Sequence, residues 1–139
     1  MFFYEDLNDF ELHNSSLVAD WISEIVQKNN YSISNANVIF CSDTYLHEIN
    51  LQYLQHDTYT DIVTFNNSDV SNEIDTDIFI SVDRVQENAD NLNISFVDEL
   101  HRVIIHGFLH LVGFNDKSKA DKEIMRQEET AALSKRKFI

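Results

Sequence analysis

Only two glycines occur in this chain of 139 residues, and both fall inside one stretch, His106-Gly107-Phe108-Leu109-His110-Leu111-Val112-Gly113-Phe114-Asn115-Asp116. Glycine supplies left-handed backbone without steric cost, so the chain concentrates that freedom in one short segment. An α-helix repeats about every 3.6 residues, so His106 and His110 share a face and can aim their imidazoles at one point. Gly113 then offers the left-handed conformation that ends a helix, and the chain turns back to present Asp116 toward the same point. Two ring nitrogens and one carboxylate oxygen make three ligands. A tetrahedral zinc held by three protein ligands keeps a fourth position for water, which is the arrangement of catalytic rather than structural zinc. The same donors also suit nickel, copper or iron, and histidines at this spacing before a glycine stop also occur on half-buried helices that bind no metal.

At 139 residues the chain reads as one domain, 1–139, large enough to bury a core without disulfides. Hydrophobic residues make up 43%, which excludes a disordered chain. Cys41 is the one cysteine in the sequence, so no disulfide can form within the chain and nothing points to an oxidising compartment. The opening Met1-Phe2-Phe3-Tyr4-Glu5-Asp6 lacks the basic region and apolar run of a signal peptide, and no stretch is apolar for long enough to span a bilayer. A soluble cytoplasmic protein with no membrane partner is the expectation. The net charge of −14 is unevenly placed. Residues 1–116 carry 20 acids against 3 bases, and residues 117–139 carry 4 acids against 7 bases, among them Lys117, Lys119, Lys122 and Arg126. An anionic substrate could be held by this basic segment together with a metal; equally, Lys135, Arg136 and Lys137 could simply complement the dipole of a C-terminal helix.

The hydrophobic pattern implies an α+β fold: a small mixed four-stranded sheet packed with about five helices, with the metal site on a central buried helix. Strands are expected at 1–7, 37–41, 61–65 and 77–82, where apolar and β-branched residues run together. A helix capped within Asn14-Ser15-Ser16 carries the stripe Leu17, Val18, Trp21, Ile22, Ile25 and Val26. Asp43 is expected to cap a second helix reaching Leu54, with Leu46, Ile49 and Tyr53 on one side, and a short helix follows over 83–91. The longest helical pattern spans 95–112, opened by Ser95 with Asp98 three residues on, and it is apolar on most sides. A last helix covers 118–135, with Met125, Ala131, Ala132 and Leu133 facing inward.

A divalent ion in such a site lowers the pKa of bound water toward neutrality and polarises a carbonyl or phosphoryl oxygen, so peptide and phosphodiester hydrolysis are both open. The zinc protease pattern HExxH carries a glutamate beside its first histidine as general base. Here that position is Gly107, which has no side chain to take a proton. Phosphodiester cleavage leans more on metal charge and positioning and tolerates the loss better.

The segment HGFLHLVGFND resembles the HGxLHLxGYDH signature of the YbeY family of endoribonucleases and ribosomal RNA maturation factors. Glu48-Ile49-Asn50-Leu51-Gln52-Tyr53 with Thr60-Asp61-Ile62-Val63-Thr64-Phe65 is similar to the family's ELNxxYR…TDVLSF block, and Asp77-Ile78-Phe79-Ile80-Ser81 to its GDIxIS strand. Arg102-Val103, Met125 and Glu128 match in spacing. The resemblance implies a metallohydrolase with one zinc ion (Zn2+) per chain, a single-strand-specific endoribonuclease in which metal-activated water attacks a phosphodiester. Its implied role is 16S rRNA 3′-end maturation and ribosome quality control, with ribosomal RNA and the small ribosomal subunit as partners. The family's zinc histidines carry over onto His106 and His110, while its third histidine falls on Asp116, and a carboxylate also binds zinc. The family's arginine after the tyrosine falls on Leu54, which can hold no phosphate; Lys117, Lys119 and Arg126 are candidate substitutes. Asn50, Thr60 and Asp61 are candidate substrate contacts, His56 a candidate acid or base, and Glu128 a candidate hydrogen-bond partner for a zinc histidine. The general base is left open. An alternative reading keeps the zinc structural and makes the protein a non-catalytic ribosome-assembly module whose acidic surface binds basic ribosomal proteins; a zinc protease is a third.

Overall fold

The structure is a computed structural model that describes residues 1–5, 10–55 and 59–139. Among these the chain order is β1 (Phe2–Glu5), α1 (Ser15–Lys28), β2 (Ser32–Cys41), α2 (Asp43–Leu54), β3 (Ile62–Asn66), β4 (Glu73–Ser81), α3 (Val82–Leu92), α4 (Phe96–Leu111) and α5 (Lys119–Ser134). The fold is the expected α+β arrangement with a mixed four-stranded sheet. The strands lie in the order β1-β2-β4-β3, with β1, β2 and β4 parallel and β3 antiparallel to β4. That order leaves β3 at an edge of the sheet, beside the end of α4.

Side chains alternate across a strand, and here each face has its own helices. Ala36, Val38 and Phe40 of β2 and Ile74, Ile78 and Ile80 of β4 are buried in the main core with Val18, Trp21 and Ile22 of α1 and Val103, Ile104 and Phe108 of α4. A smaller core on the other face joins Cys41 and Val63 to Leu46 and Ile49 of α2. Along the rest of that second face the strands are polar and pair through side chains: Asn35 Nδ2 donates to Asp75 at 3.3 Å and Asn37 Nδ2 to Asp77 at 3.0 Å. This is why β2 and β4 begin several residues before the apolar runs at 37 and 77.

Helix α4 is central because it is apolar nearly all round. Ser95 caps it, accepting from the Asp98 amide at 3.1 Å. Helix α5 starts with a capping box between Ser118 and Asp121, and the Trp21 indole donates to the Ala132 carbonyl at 2.8 Å, tying α1 to the last turns of α5. Three local expectations are corrected. Asn14 precedes α1 at φ 58° and makes no side-chain cap, since capping requires an extended residue there. Ser42, not Asp43, caps α2; Asp43 is instead engaged by Arg84 and Ser81. Tyr53 is exposed rather than inward, lying edge-on against Phe65.

Candidate metal centre

The last two turns of α4 carry His106 and His110, whose Nε2 atoms lie 3.1 Å apart. The helix then closes in a Schellman turn: the Gly113 amide donates to the His110 carbonyl at 3.1 Å and the Phe114 amide to the Leu109 carbonyl at 3.0 Å. Gly113 sits at φ 108°, a conformation that a side chain would strain. The reversal brings Asp116 Oδ2 to 3.5 Å from His106 Nε2 and 3.3 Å from His110 Nε2. Ligands bound at about 2.0–2.1 Å around a tetrahedral ion stand about 3.3 Å from one another. The three sides of this triangle match that spacing, and the two nitrogens and one oxygen could therefore hold one metal ion.

The tautomer of His106 follows from its other ring nitrogen. Nδ1 lies 2.6 Å from Glu129 Oε2, and an ionised carboxylate only accepts, so Nδ1 carries the proton and Nε2 turns its lone pair to the metal position. Burial alone would push the Glu129 carboxyl up. The hydrogen bond from His106 and the nearby Arg102 guanidinium outweigh burial and hold it below the ordinary carboxylate value. Arg102 is itself clamped: its Nε and Nη2 reach the two oxygens of Glu99 at 2.7 and 2.5 Å, and Nη1 reaches Glu129 Oε1 at 3.2 Å. Glu99 and Glu129 are both buried, so Arg102 is the cation that makes two interior carboxylates tolerable. These contacts raise the guanidinium pKa further.

A cleft of about 530 Å³ opens on the metal position. It is lined by His106, His110 and Asp116, by Ile62 and Thr64 of the edge strand, and by Asn50 and Leu54 of α2. Thr60 and Asp61 also line it. Asp61 accepts from Asn88 Nδ2 at 3.2 Å and lies 4.0 Å from Arg102 Nη2. Burial raises the Asp61 pKa, more than Arg102 and His106 lower it. Gly107 explains the close seating of α4 on β3: a Cβ there would stand 2.9 Å from Ile62 Cδ1 and 3.2 Å from Thr64 Oγ1. The glutamate of an HExxH helix would have to displace both.

The structure thus brings Asn50, Thr60 and Asp61 into the cleft with the three ligands. It does not bring Lys117 or Lys119 there; both are exposed, Lys117 just before α5 and Lys119 as its first residue. Arg126 lines a separate hollow on the α5 side of His106, together with Lys122. Leu54 does stand in the cleft wall, leaving that wall without a cation. His56 lies outside the described residues. The hydrogen bond to His106 expected of Glu128 is made by Glu129, because one residue turns a helix by about 100° and it is Glu129 that shares the buried face of Met125 and Ala132. Glu99, Arg102 and Glu129 are the residues that sequence reasoning missed as part of the site. Their signal was available as charges set into apolar helical stripes.

A sequence profile described as endoribonuclease YbeY matches residues 4–137. The endoribonuclease YbeY of Cytophaga hutchinsonii is 48% identical over 138 residues, covering 99% of this chain and 96% of the relative. That of Christiangramia forsetii is 48% identical over 127 residues, covering 91% of this chain and 88% of the relative. Among solved structures, the solution structure of TM1509 from Thermotoga maritima superposes with a TM-score of 0.63 at 29% identity, covering 96% of this chain and 87% of the other.

Proposed function

This chain belongs to the endoribonuclease YbeY family, and we propose that it hydrolyses phosphodiester bonds of single-stranded RNA at one zinc ion held by His106, His110 and Asp116. The observation that carries this reading is the triangle of three donor atoms at tetrahedral spacing, set at the end of an open cleft. A divalent ion in that position would supply Lewis acidity toward a phosphoryl oxygen and a source of hydroxide near neutral pH. Two neutral imidazoles and one carboxylate suit zinc.

The chain's own residues divide the remaining work. Glu129 keeps the His106 proton on Nδ1, and Arg102 keeps Glu129 ionised. Asp61 is the carboxylate of the cleft that is neither a metal ligand nor bound to a ligand histidine. It lines one hollow together with His106 and Asp116, and burial raises its pKa in the metal-free protein, a placement that suits a group that takes up and returns a proton during the reaction. It fills the role for which Gly107 has no side chain. Asn50 and Thr60 line the same cleft. The finer assignment, 16S rRNA 3′-end maturation and ribosome quality control on the small ribosomal subunit in the cytoplasm, is supported by the family resemblance. No helix among the described residues is long and apolar enough to cross a membrane.

The test is cleavage of a labelled single-stranded RNA by zinc-loaded protein, run beside a duplex of the same sequence and a His110→Ala variant. Cleavage confined to the single strand and lost in the variant supports the reading. Zinc-loaded protein that leaves single strands intact, or a variant as active as the parent, contradicts it.

A further inference from the structure

We propose that RNA phosphate is held on the α5 flank of the metal centre by Lys122 and Arg126, so that the strand crosses from the Asn50 and Leu54 wall over the metal ligands to α5. This inference rests on the single-stranded RNA reading above and specifies where that substrate's charge is met. All ten Lys and Arg residues lie among the described residues.

None of the ten lines the main cleft, where Leu54 stands on the α2 wall. Arg102 is close, but three of its nitrogens are bound to Glu99 and Glu129. A guanidinium so occupied has little left for a ligand. Arg84 is taken by Asp43 at 2.9 Å and Glu87 at 3.3 Å. Arg136 is engaged with Asp98 and His101 at the far end of α4.

Lys122 and Arg126 differ from these. They are four apart on α5, hence on one face, and both line a hollow of about 190 Å³ together with Arg102, His106, Asp116 and Glu129. Both are exposed, and Lys122 makes no ion pair among the described residues. Among the described residues Arg126 is ion-paired with Glu129 alone, at 3.6 Å, and that carboxylate is bound more closely by His106 at 2.6 Å and Arg102 at 3.2 Å. Lys117 lies just before the same helix and Lys119 is its first residue, and the helix N-terminus adds its positive dipole end. In a chain with a net charge of −14, this flank of the metal centre presents exposed cations to a polyanion, whereas no Lys or Arg lines the main cleft.

The experiment uses zinc-loaded protein and a labelled single-stranded RNA, comparing the parent with a Lys122→Ala/Arg126→Ala double variant and a Lys28→Ala/Lys137→Ala double variant of equal net charge. Zinc content, anisotropy binding, KM and kcat are followed across a salt series. Losing two phosphate contacts should flatten the slope of log affinity against log salt by about 1.4 for a single strand. It should also raise KM roughly tenfold at moderate salt, with zinc content unchanged. The Lys28/Lys137 variant should behave as the parent. If the parent cleaves RNA while the Lys122/Arg126 variant keeps its KM and salt slope, or the Lys28/Lys137 variant shifts equally, the α5 flank is not the phosphate site and the nuclease reading survives. If zinc-loaded parent neither binds nor cleaves the RNA, both fall.

Discussion

Replacing Glu129 with glutamine changes one atom and should weaken metal binding at residues it leaves in place. Each oxygen of the Glu129 carboxylate faces a donor: Oε2 meets His106 Nδ1 at 2.6 Å and Oε1 meets Arg102 Nη1 at 3.2 Å. Glutamine has one acceptor and one donor group, so one of these contacts becomes donor against donor in a site where Glu129 is 2% exposed. The charged guanidinium should retain the amide oxygen. The amide NH₂ then faces His106 Nδ1, which can accept only by giving up its proton, and the proton moves to Nε2, where it blocks the metal position. Loss of such an outer partner costs about 10- to 100-fold in metal affinity, or about 1.4 to 2.7 kcal/mol. Zinc affinity would be measured by competition with a chromophoric chelator, and the His106 tautomer by nitrogen chemical shifts in the metal-free protein. Glu128→Gln, one position away, should bind zinc as the parent does. A Glu129→Gln protein with parental affinity and an Nδ1-protonated His106 would refute the reasoning.

Other consequences follow from the same contacts. His101 is 3% exposed, and burial together with the Arg136 charge lowers its pKa from 6.5 to about 4. Its neutral form therefore contributes stability that is fully present above pH 6.5 and lost as the pH falls toward 4, up to about 3 kcal/mol. Denaturation of metal-free protein across this range should show a shallower acid decline in His101→Phe, and identical declines would contradict the assignment. Gly113→Ala should lower stability by about 1–2 kcal/mol from backbone strain alone, because a Cβ there meets nothing within 4 Å; chemical denaturation showing no loss would mean that the turn is not held at positive φ. Asp61→Asn should remove the acid limb of the pH–rate profile of the zinc-loaded protein while zinc content stays constant. A retained limb would assign it to another group.

The elements most legible in the sequence are those whose signals are local. Ser95 with Asp98, the apolar run of α4 and the Gly113 stop are each written within a few residues, and the structure shows the cap, the buried helix and the Schellman turn. The polar beginnings of β2 and β4 were hidden because an Asn–Asp ladder on a half-covered face carries no apolar alternation. At the site, the spacing of His106, His110 and Asp116 expresses their convergence directly. The support behind them does not show at that range. Glu99, Arg102, Glu129 and Asp61 meet from two helices and the start of an edge strand, and only the packing of α5 against α4 decides that Glu129 rather than Glu128 faces His106.

Everything proposed for this cleft requires one ion between two imidazoles and the Asp116 carboxylate. X-ray absorption of the zinc-loaded protein tests it most directly when the parent is compared with Asp116→Ala. The expected result is one zinc per chain bound by two imidazole nitrogens and light oxygen donors at about 2.0–2.2 Å, with affinity sharply reduced in the variant. A parent shell containing sulfur or a single imidazole, or an Asp116→Ala protein that binds zinc as tightly as the parent, would contradict it.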